Sequence, residues 1–266
     1  MAVRAVLFDF GDTLIFQAHQ PDEHTLYTTM AEQVMPLLRQ WGIDLDAFAL
    51  LRDLYRAVEE AQYERRSRGR EIDGPFVTRG ALAEHEFDAT PEQAQAFWTA
   101  SAVSLPLWGW QLFPDTLDTL RKLRKMPVAV ALVSNSYYTA DIHTRLLRTL
   151  DIPAELFDAF VLSADLMRPK PRPEPFQRAL DLLEVQAHET VFVGDVFDVD
   201  IVGAKALGMT TVWKLNGRQE VPPAPEADFM IHDLWELLTL GLLPESNGST
   251  LSESPMPHKD GSAGRY

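Results

Sequence analysis

The feature that most constrains this chain is an aspartate placed where an apolar run ends. Residues Ala5–Phe8 form a short apolar segment typical of a buried strand, and Asp9 follows directly, before a turn that contains Gly11. Open α/β sheets bind their ligands at the carboxyl ends of the strands, so a carboxylate here is expected to face a ligand site. An aspartate can also attack phosphorus and form an aspartyl-phosphate. The alternative interpretation is an ordinary turn, and Asp9 alone does not decide between them.

Composition limits the classes of function open to the chain. It has 266 residues, 46% of them hydrophobic, which is enough for one large core or for a core with a smaller domain. The formal charge of −15 disfavours nucleic acid, whose phosphates are bound mainly by Lys and Arg. The absence of cysteine excludes disulfides and thiolate metal sites, and no apolar run is long enough to span a bilayer. Since no secretion signal is evident, we expect a cytoplasmic protein without nucleic-acid or membrane partners.

The second half of the chain alternates short apolar segments with helical patterns. The strands predicted after the first one are 128–133, 159–162, 190–193, 210–213 and an edge strand at 229–231. The predicted helices are 116–125, 139–150, 174–183, 198–207 and 233–240. Strands covered on both faces are continuously apolar, and their alternation with helices implies βαβ units. The sequence therefore predicts an α/β fold, a Rossmann-like parallel sheet with helices on both faces.

The segment after the first strand does not follow that alternation. It is rich in helix formers, and helices are predicted at 23–39, 46–66, 77–86 and 91–103. We therefore expect an α/β core made of residues 1–15 and 106–243 and a smaller all-helical cap made of residues 16–105. Such a cap could exclude water from a site, and the alternative is a cap that serves stability alone. Residues 244–266 are rich in Ser, Gly and Pro and are expected to be disordered.

Two further polar segments lie beyond predicted strands. Ser134 and Asn135 follow the strand at 128–133, where a hydroxyl and turn N–H groups can bind phosphate oxygens; the alternative is an ordinary turn or helix cap. Lys170 lies among prolines in the loop at 168–176, so its path is stiffened. Its ammonium is then expected to offset the charge of carboxylates and phosphate, and the alternative is a solvated basic loop.

The last strand-end segment offers metal ligands. Gly194, Asp195 and Asp200 follow the strand predicted at 190–193, and carboxylates there suit Mg²⁺, which prefers oxygen ligands. Asp195 is predicted to be a direct ligand, with Asp200 as a direct or supporting one. Asp198 is expected to cap the following helix.

Taken together and in this order, these motifs resemble the haloacid dehalogenase superfamily of phosphohydrolases. The first match is a strand followed by Asp-x-x-x-Thr-Leu, and the second is a strand followed by Ser-Asn. A Lys-Pro-x-Pro-x-x-Phe loop, a strand followed by Gly-Asp-x-x-x-x-Asp, and a Gly-Ala-x-x-x-Gly-Met helix end complete the set. The resemblance covers residues 1–15 and roughly 106–240, and the helical insertion corresponds to the family's cap.

The resemblance implies a role for each matching residue. Asp9 would be the nucleophile, and Lys170 would neutralise charge at the site. Mg²⁺ would neutralise and orient the two anions, and it would be held by Asp9, the Gly11 carbonyl, Asp195 and Asp200. A small phosphorylated substrate would be bound by Thr13, Ser134 and Asn135.

The sequence departs from the family pattern at one catalytic position. The family's phosphatases usually carry a second aspartate two residues after the nucleophile, which protonates the leaving oxygen and later activates water. Here that position is Gly11. Positioned acid–base catalysis contributes roughly 10²–10⁴-fold, so its loss would leave a slow enzyme. Asp12 is a candidate replacement, because the adjacent glycine gives the turn conformational freedom.

Other members of the family suggest alternatives to a phosphatase function. A catalytically weakened member would use the same site to bind a phosphorylated ligand or a protein partner. A dehalogenase-like enzyme would displace halide without the second aspartate or Mg²⁺, although Asp195 and Asp200 match the metal-binding pattern. A phosphonoacetaldehyde hydrolase is excluded, because it needs a cap lysine and the first lysine of this chain is Lys122.

The predicted cap carries features that the motifs do not explain. The arginine-rich run at 65–70 could bind a distal anionic group of the substrate, but a solvated helix end is the favoured interpretation. We expect five aromatic side chains to pack in the core of the cap and at its hinge rather than around a substrate: Phe16, Phe87, Trp98, Trp108 and Trp110. The oligomeric state is left open between a monomer and a homodimer.

Overall fold

A parallel sheet forms the centre of the protein. The structure is a computed structural model that describes residues 2–217 and 227–245, so the tail predicted at 244–266 lies outside the described residues beyond position 245. The strands are β1 Ala5–Phe8, β2 Ile15–Gln17, β3 Trp110–Leu112, β4 Ala129–Ser134, β5 Ala159–Leu162, β6 Thr190–Gly194, β7 Thr210–Lys214 and β8 Phe229–Ile231. Within the described residues, the main sheet has six parallel strands in the order β5-β4-β1-β6-β7-β8. The predicted α/β architecture is confirmed.

The register of the sheet brings the predicted motifs to one edge. β1 lies in the middle, and Phe8 at its carboxyl end pairs with Leu132 of β4 and with Val193 of β6. Because all three strands run in the same direction, the residues that follow them emerge side by side. The polar segments that follow these apolar runs therefore meet at the carboxyl edge of the sheet.

Helices cover both faces of the sheet. They are α1 Glu23–Gln40, α2 Ala47–Arg68, α3 Gly74–Glu84, α4 Pro91–Ser101, α5 Thr116–Leu123, α6 Ala140–Arg148, α7 Ser163–Leu166, α8 Pro173–Leu183, α9 Val202–Ala206 and α10 Leu234–Leu237. Successive residues of β1 enter different cores: Val6 and Phe8 pack in one cluster, Ala5 and Leu7 in the other. Burial on both faces explains why the strand is continuously apolar. Among the described helices, none has the length and apolarity that crossing a membrane requires.

Helices α1–α4 occupy the segment for which a helical insertion was predicted. Local capping sets their ends: the Asp46 side chain accepts from two N–H groups at the start of α2, and Gly69 ends that helix at a φ of 58°. Asp73 caps α3, which therefore starts three residues before its predicted beginning at 77. Thr90 forms a capping box with Gln93 at the start of α4. The division into a core and a cap remains a prediction.

A short antiparallel ribbon joins the helical segment to the sheet, and the sequence analysis missed it. β2 pairs with β3, with Ile15 opposite Leu112 and Gln17 opposite Trp110. Residues 16–17, assigned to an all-helical cap, are therefore in a strand. Three-residue strands are too short to show a periodic pattern. Gly109 precedes β3 with a φ of 80°, and a Cβ there would lie 1.9 Å from the His19 carbonyl oxygen, so this crossing requires glycine.

The helix predicted at 198–207 begins differently from the expectation. A π-helical turn, Phe197–Ile201, precedes α9. The prediction that Asp198 caps this helix was wrong, because the cap position is Val196 and no side chain caps the turn. Instead, the Asp200 carboxylate accepts a hydrogen bond from the Val196 N–H at 3.0 Å. The predicted site residue Asp200 therefore lies within this turn and bonds to the backbone at its start.

Candidate active site

Among the described residues, three aspartates meet at the carboxyl edge of the sheet. Asp9 follows β1, Asp195 follows β6, and Asp200 lies in the π-helical turn beyond it. One carboxylate oxygen from each lies within 4.8 Å of the others, and all three residues are buried. β1 and β6 pair in parallel, which places the residues beyond them side by side. The structure therefore brings together the three carboxylates that the motifs singled out.

Lys170 completes this group, which we call the aspartate–lysine cluster. Its Nζ donates to Asp9 Oδ1 at 2.7 Å and to Asp200 Oδ1 at 2.6 Å, and its side chain is 1% exposed. Asn135 fixes the lysine backbone, since its Oδ1 accepts from the Lys170 N–H at 2.7 Å and its Nδ2 donates to the Lys170 carbonyl at 3.0 Å. Asn135 therefore positions Lys170, a contact that the sequence did not reveal. Its role in binding substrate remains a prediction.

Burial and the neighbouring charges set the ionisation of the cluster. Burial raises the pKa of Asp9 to about 6, against the opposing effect of the Lys170 ammonium. Burial acts to lower the pKa of Lys170, but the carboxylates of Asp200 and Asp9 outweigh it, so this pKa lies above its ordinary value. Near neutral pH the lysine is charged and Asp9 is mostly ionised. Lys170 therefore lies as a cation between the carboxylates of Asp9 and Asp200.

The donor set fits Mg²⁺. This ion takes oxygen ligands, is bound by a small number of carboxylates and retains several waters. Asp9, Asp195 and Asp200 offer carboxylate oxygens close to one another. Gly11 lines the same cavity, and metal ligation by its backbone carbonyl remains a prediction. The buried acidic group can thus hold a metal ion, and its identity as Mg²⁺ remains a prediction.

Gly194 leaves the space that Asp200 occupies. A Cβ at position 194 would lie 2.5 Å from Asp200 Cβ and 2.6 Å from its Cγ, closer than real contacts allow. We expect Gly194→Ala to displace Asp200 and to weaken Mg²⁺ affinity by roughly 10–100-fold, measured by calorimetric titration. Gly80→Ala is the control, because a Cβ there meets nothing within 4 Å. Unchanged Mg²⁺ affinity in Gly194→Ala would contradict the assignment of Asp200 to the metal site.

Asp12 lies at the cavity wall in a left-handed backbone conformation, with a φ of 54°. Its carbonyl accepts from Asn216 Nδ2 at 2.6 Å and from Lys214 Nζ at 3.4 Å. Lys214 Nζ also lies 3.2 Å from the centroid of the Phe113 ring, and burial lowers its pKa to about 8. Lys214 and Asn216 therefore fix the backbone of Asp12. The sequence analysis missed both, and the available signal was a lysine at the end of an apolar strand.

The predicted site residues surround a cavity of 540 Å³, with one exception. Its wall includes Asp9, Gly11, Asp12, Ser134, Asn135, Lys170, Asp195 and Asp200. Thr13 is the exception, because it is 0% exposed and its hydroxyl has no hydrogen-bond partner among the described residues. The turn after Asp12 buries Thr13 beneath the site, with its N–H bonded to the Phe10 carbonyl. Direct binding of substrate by Thr13 is therefore not supported by this geometry.

A second cavity, of 290 Å³, adjoins the first, and side-chain rings form part of its wall. We call it the aromatic cavity, after its wall residues Trp108, Trp110, Tyr137, Tyr138 and His143. Trp98 is buried, and Trp108 and Trp110 pack against the core as predicted, although both also line this cavity. The sequence analysis did not single out the two tyrosines, although they directly follow the Ser-Asn-Ser turn.

Contacts between the helical segment and the sheet segment lie beside these cavities. Arg65 of α2 donates to Glu71 Oε1 at 3.1 Å, and Glu71 also accepts from the Ser163 hydroxyl. Arg172 Nε donates to the Gly69 carbonyl at 2.8 Å. Arg65 is 18% exposed and paired, so it does not fit the expectation of a solvated helix end. These bonds tie α2 and the residues that follow it to the Lys170 loop and to the start of α7.

Comparison with known proteins gives the family. The sequence model of the haloacid dehalogenase-like hydrolases matches residues 3–208, a range that contains the whole aspartate–lysine cluster. The chain belongs to the haloacid dehalogenase-like hydrolases. The match begins before β1 and ends after α9, so it covers α1–α4 and the motifs that carried the resemblance, except for Met209 at the end of the last one. The predicted family and the predicted class of enzyme, a hydrolase, are thereby confirmed.

Individual relatives of the family carry different names. Pyrophosphatase PpaX of Bacillus cereus strain G9842 is 35% identical over 132 residues, covering 48% of this chain and 58% of that protein. The match thus spans a little over half the length of this relative. A haloacid dehalogenase-type phosphatase structure from Thermococcus onnurineus is 25% identical with a TM-score of 0.54, covering 91% of this chain and 99% of that one. The chain shares its fold with a 2-haloacid dehalogenase structure from Pseudomonas syringae pv. Tomato DC3000. The identity is 24% and the TM-score is 0.60, and the match covers 89% of this chain and 97% of that one.

Proposed function

We propose that the protein is a Mg²⁺-dependent phosphatase that acts on a small phosphorylated metabolite through an aspartyl-phosphate on Asp9. The observation that carries the proposal is the Lys170 ammonium bonded to both Asp9 and Asp200, with Asp195 in the same cluster. A carboxylate nucleophile, a buried cation and metal-ligating oxygens on one cavity wall are what this phosphoryl transfer needs. The relatives named pyrophosphatase and phosphatase support the same reaction class.

The proposed reaction has two steps. An Asp9 oxygen attacks phosphorus, the bond to the ester oxygen breaks, and that oxygen takes a proton from Asp12 and leaves as an alcohol. Water then gives a proton back to Asp12 and attacks phosphorus, the bond to Asp9 breaks, and phosphate is released. Lys170 binds Asp9 Oδ1, which orients the carboxylate and offsets the charge of the incoming phosphate. Bound Mg²⁺ would supply the charge neutralisation that lets two anions approach, and its ligands would be Asp9, the Gly11 carbonyl, Asp195 and Asp200.

Ser134 is the proposed contact for the phosphoryl oxygens. It ends β4, next to β1, and it lines the wall of the 540 Å³ cavity. A hydroxyl and turn N–H groups at such a strand end can bind phosphate oxygens. The proposed contact therefore lies on the same wall as Asp9.

The carboxylate oxygens of the site favour this function over a dehalogenase-like one. Displacement of halide needs no metal ion, yet the cluster places oxygens of three buried carboxylates within 4.8 Å of one another. Such a set of oxygen ligands suits a divalent cation such as Mg²⁺. The likeness to a 2-haloacid dehalogenase lies in the fold, and a shared fold does not fix the reaction.

Asp12 is the proposed proton donor, since Gly11 stands where the family's phosphatases usually carry an aspartate. We expect Asp12→Asn to lower kcat for an alkyl phosphate by roughly 10²–10⁴-fold. The loss should be much smaller for p-nitrophenyl phosphate, whose leaving group does not need protonation. Steady-state kinetics measure how far kcat falls on each of the two esters. Asp88→Asn is the control, because Asp88 is exposed and pairs with Arg79 in the helical segment. Equal losses on both esters would exclude Asp12 as the proton donor.

Product analysis tests the proposed function as a whole. The purified protein is incubated with phosphate esters and with 2-haloacids, in Mg²⁺ or in a chelator. We expect phosphate release that stops in the chelator and returns with Mg²⁺, and no halide release. Halide release in the chelator would show a dehalogenase. Binding of phosphate without turnover would show a catalytically weakened binding protein, and either result overturns the proposal.

The composition of the chain bears on its location and its partners. We propose a cytoplasmic location and a small-molecule substrate rather than a nucleic-acid or membrane partner. The charge of −15 supports the exclusion of nucleic acid. The oligomeric state, monomer or homodimer, remains a prediction.

A further inference from the structure

The aromatic cavity adjoins the aspartate–lysine cluster but takes no part in the chemistry described above. Its wall and that of the 540 Å³ cavity share Gly11, Arg65, Ser134 and Asn135. A Cβ on Gly11 would lie 3.8 Å from Cη2 of Trp110, so this glycine faces a ring of the aromatic cavity. A molecule with its phosphate at Asp9 can therefore extend past Gly11 into the aromatic cavity. A larger, charged side chain at position 11 would enter this passage.

The walls of the aromatic cavity are held in place before any ligand binds. The Tyr138 hydroxyl shares a buried hydrogen bond of 2.7 Å with the Tyr55 hydroxyl of α2. The Trp98 ring lies 5.1 Å from the ring of Tyr138 and 5.8 Å from that of Tyr137, and the Tyr55 ring lies 5.3 Å from Trp108. Rings fixed by neighbours lose little entropy when a ligand binds. The cavity is therefore a preorganised surface for a flat ring.

Among the described residues of its wall, no unpaired positive charge faces a second anionic group. On the part of the wall that the structure describes, Arg65 is the one residue with a permanent charge, and it is paired with Glu71. His143 is neutral near pH 7, because burial lowers its pKa to about 4. Gln62 and Ser136 offer uncharged hydrogen-bonding groups. This chemistry suits a neutral ring with a few polar atoms, and it disfavours a second phosphate.

The volume of the aromatic cavity is large enough for a neutral ring of this kind. A cavity of about 150 Å³ lined by apolar side chains binds benzene, and the aromatic cavity measures 290 Å³. It therefore holds a single substituted ring or two fused rings. We propose that the aromatic cavity is the leaving-group subsite for phosphate monoesters of alcohols that carry a flat, uncharged aromatic or heteroaromatic ring. The inference rests on the proposed phosphatase function and narrows its substrate class, away from the pyrophosphate that the relatives' name suggests.

Binding of non-hydrolysable phosphonates tests the subsite without requiring turnover. In the presence of Mg²⁺, calorimetric titration compares benzylphosphonate, methylphosphonate and methylenediphosphonate. We expect benzylphosphonate to bind roughly 10–100-fold more tightly than methylphosphonate, because only the former has a ring to bury. Methylenediphosphonate, a stable analogue of pyrophosphate, is expected to gain no such advantage. Equal affinity for the first two, or tightest binding of the diphosphonate, overturns the proposal.

A pair of tryptophan variants tests whether the aromatic cavity causes the preference for benzylphosphonate. Trp108→Ala removes a ring from the aromatic cavity and is expected to abolish the preference for benzylphosphonate, with methylphosphonate affinity unchanged. Trp41→Ala is the matched control, because Trp41 stacks on Phe87 in the helical segment and does not line the aromatic cavity. It should keep the preference. A preference retained in Trp108→Ala, or lost equally in both variants, contradicts the assignment of the subsite.

The two proposals fail in different ways. Selective binding of benzylphosphonate without hydrolysis of benzyl phosphate would overturn the phosphatase function and leave the ring subsite standing. Mg²⁺-dependent hydrolysis with equal kcat/KM for ethyl phosphate and benzyl phosphate would overturn the subsite alone. Failure to bind any of the phosphonates in Mg²⁺ would overturn both.

Discussion

Replacement of Asp9 by asparagine is expected to lower kcat for phosphate-ester hydrolysis by roughly 10⁴–10⁶-fold. An amide oxygen cannot form the aspartyl-phosphate, so the reaction loses its first step. Asparagine has the same shape, and its Oδ1 can still accept the hydrogen bond that Lys170 donates to Asp9 Oδ1. The fold should therefore be retained, as circular dichroism will show. A rapid acid quench with radiolabelled phosphate ester is expected to label the wild-type protein and to leave Asp9→Asn unlabelled.

The control for this experiment is the same chemical change at an exposed site. Asp118 lies in α5, is exposed and pairs with Arg121. Asp118→Asn should keep both the wild-type rate and the label. If Asp9→Asn were labelled to the wild-type extent, the nucleophile would have to be another residue.

Replacement of Lys170 by glutamine is expected to lower the free energy of unfolding by about 3–5 kcal/mol. The ammonium is 1% exposed and bonds to both Asp9 and Asp200, so its removal leaves two buried carboxylates without their cation. Glutamine is uncharged and cannot offset their repulsion. Urea unfolding measures the change, in a chelator so that no metal ion substitutes for the lysine. The same variant should also lose turnover, because the phosphate would meet an uncompensated negative site.

A second lysine provides the comparison for stability. Lys205 also pairs with an aspartate, Asp228, but the two side chains are 39% and 31% exposed. Solvent screens such a pair, so Lys205→Gln should cost less than about 1 kcal/mol. Comparable losses in the two variants would show that burial does not govern the Lys170 interaction.

The sequence by itself determined the sheet and the edge at which the site forms. The apolar runs at β1, β4 and β6 are visible because each strand is buried on both faces, which leaves a continuous signal. Polar residues placed just beyond parallel strands must share one edge. Asp9, Ser134 and Asp195 could therefore be assigned to one site before any coordinates, and the proline-rich loop added Lys170.

Tertiary structure alone decided which surfaces meet around that site. Tyr55 bonds to Tyr138 across 83 residues of sequence, and Asn216 bonds to the Asp12 carbonyl across 204. The use of Trp108 as a cavity wall depends on the same packing of helices against the sheet. Periodicity shows that a face is apolar, but it carries no information about the partner that covers that face or about the space left between them. The cluster could thus be predicted from local patterns, whereas the aromatic cavity arises from contacts between distant segments.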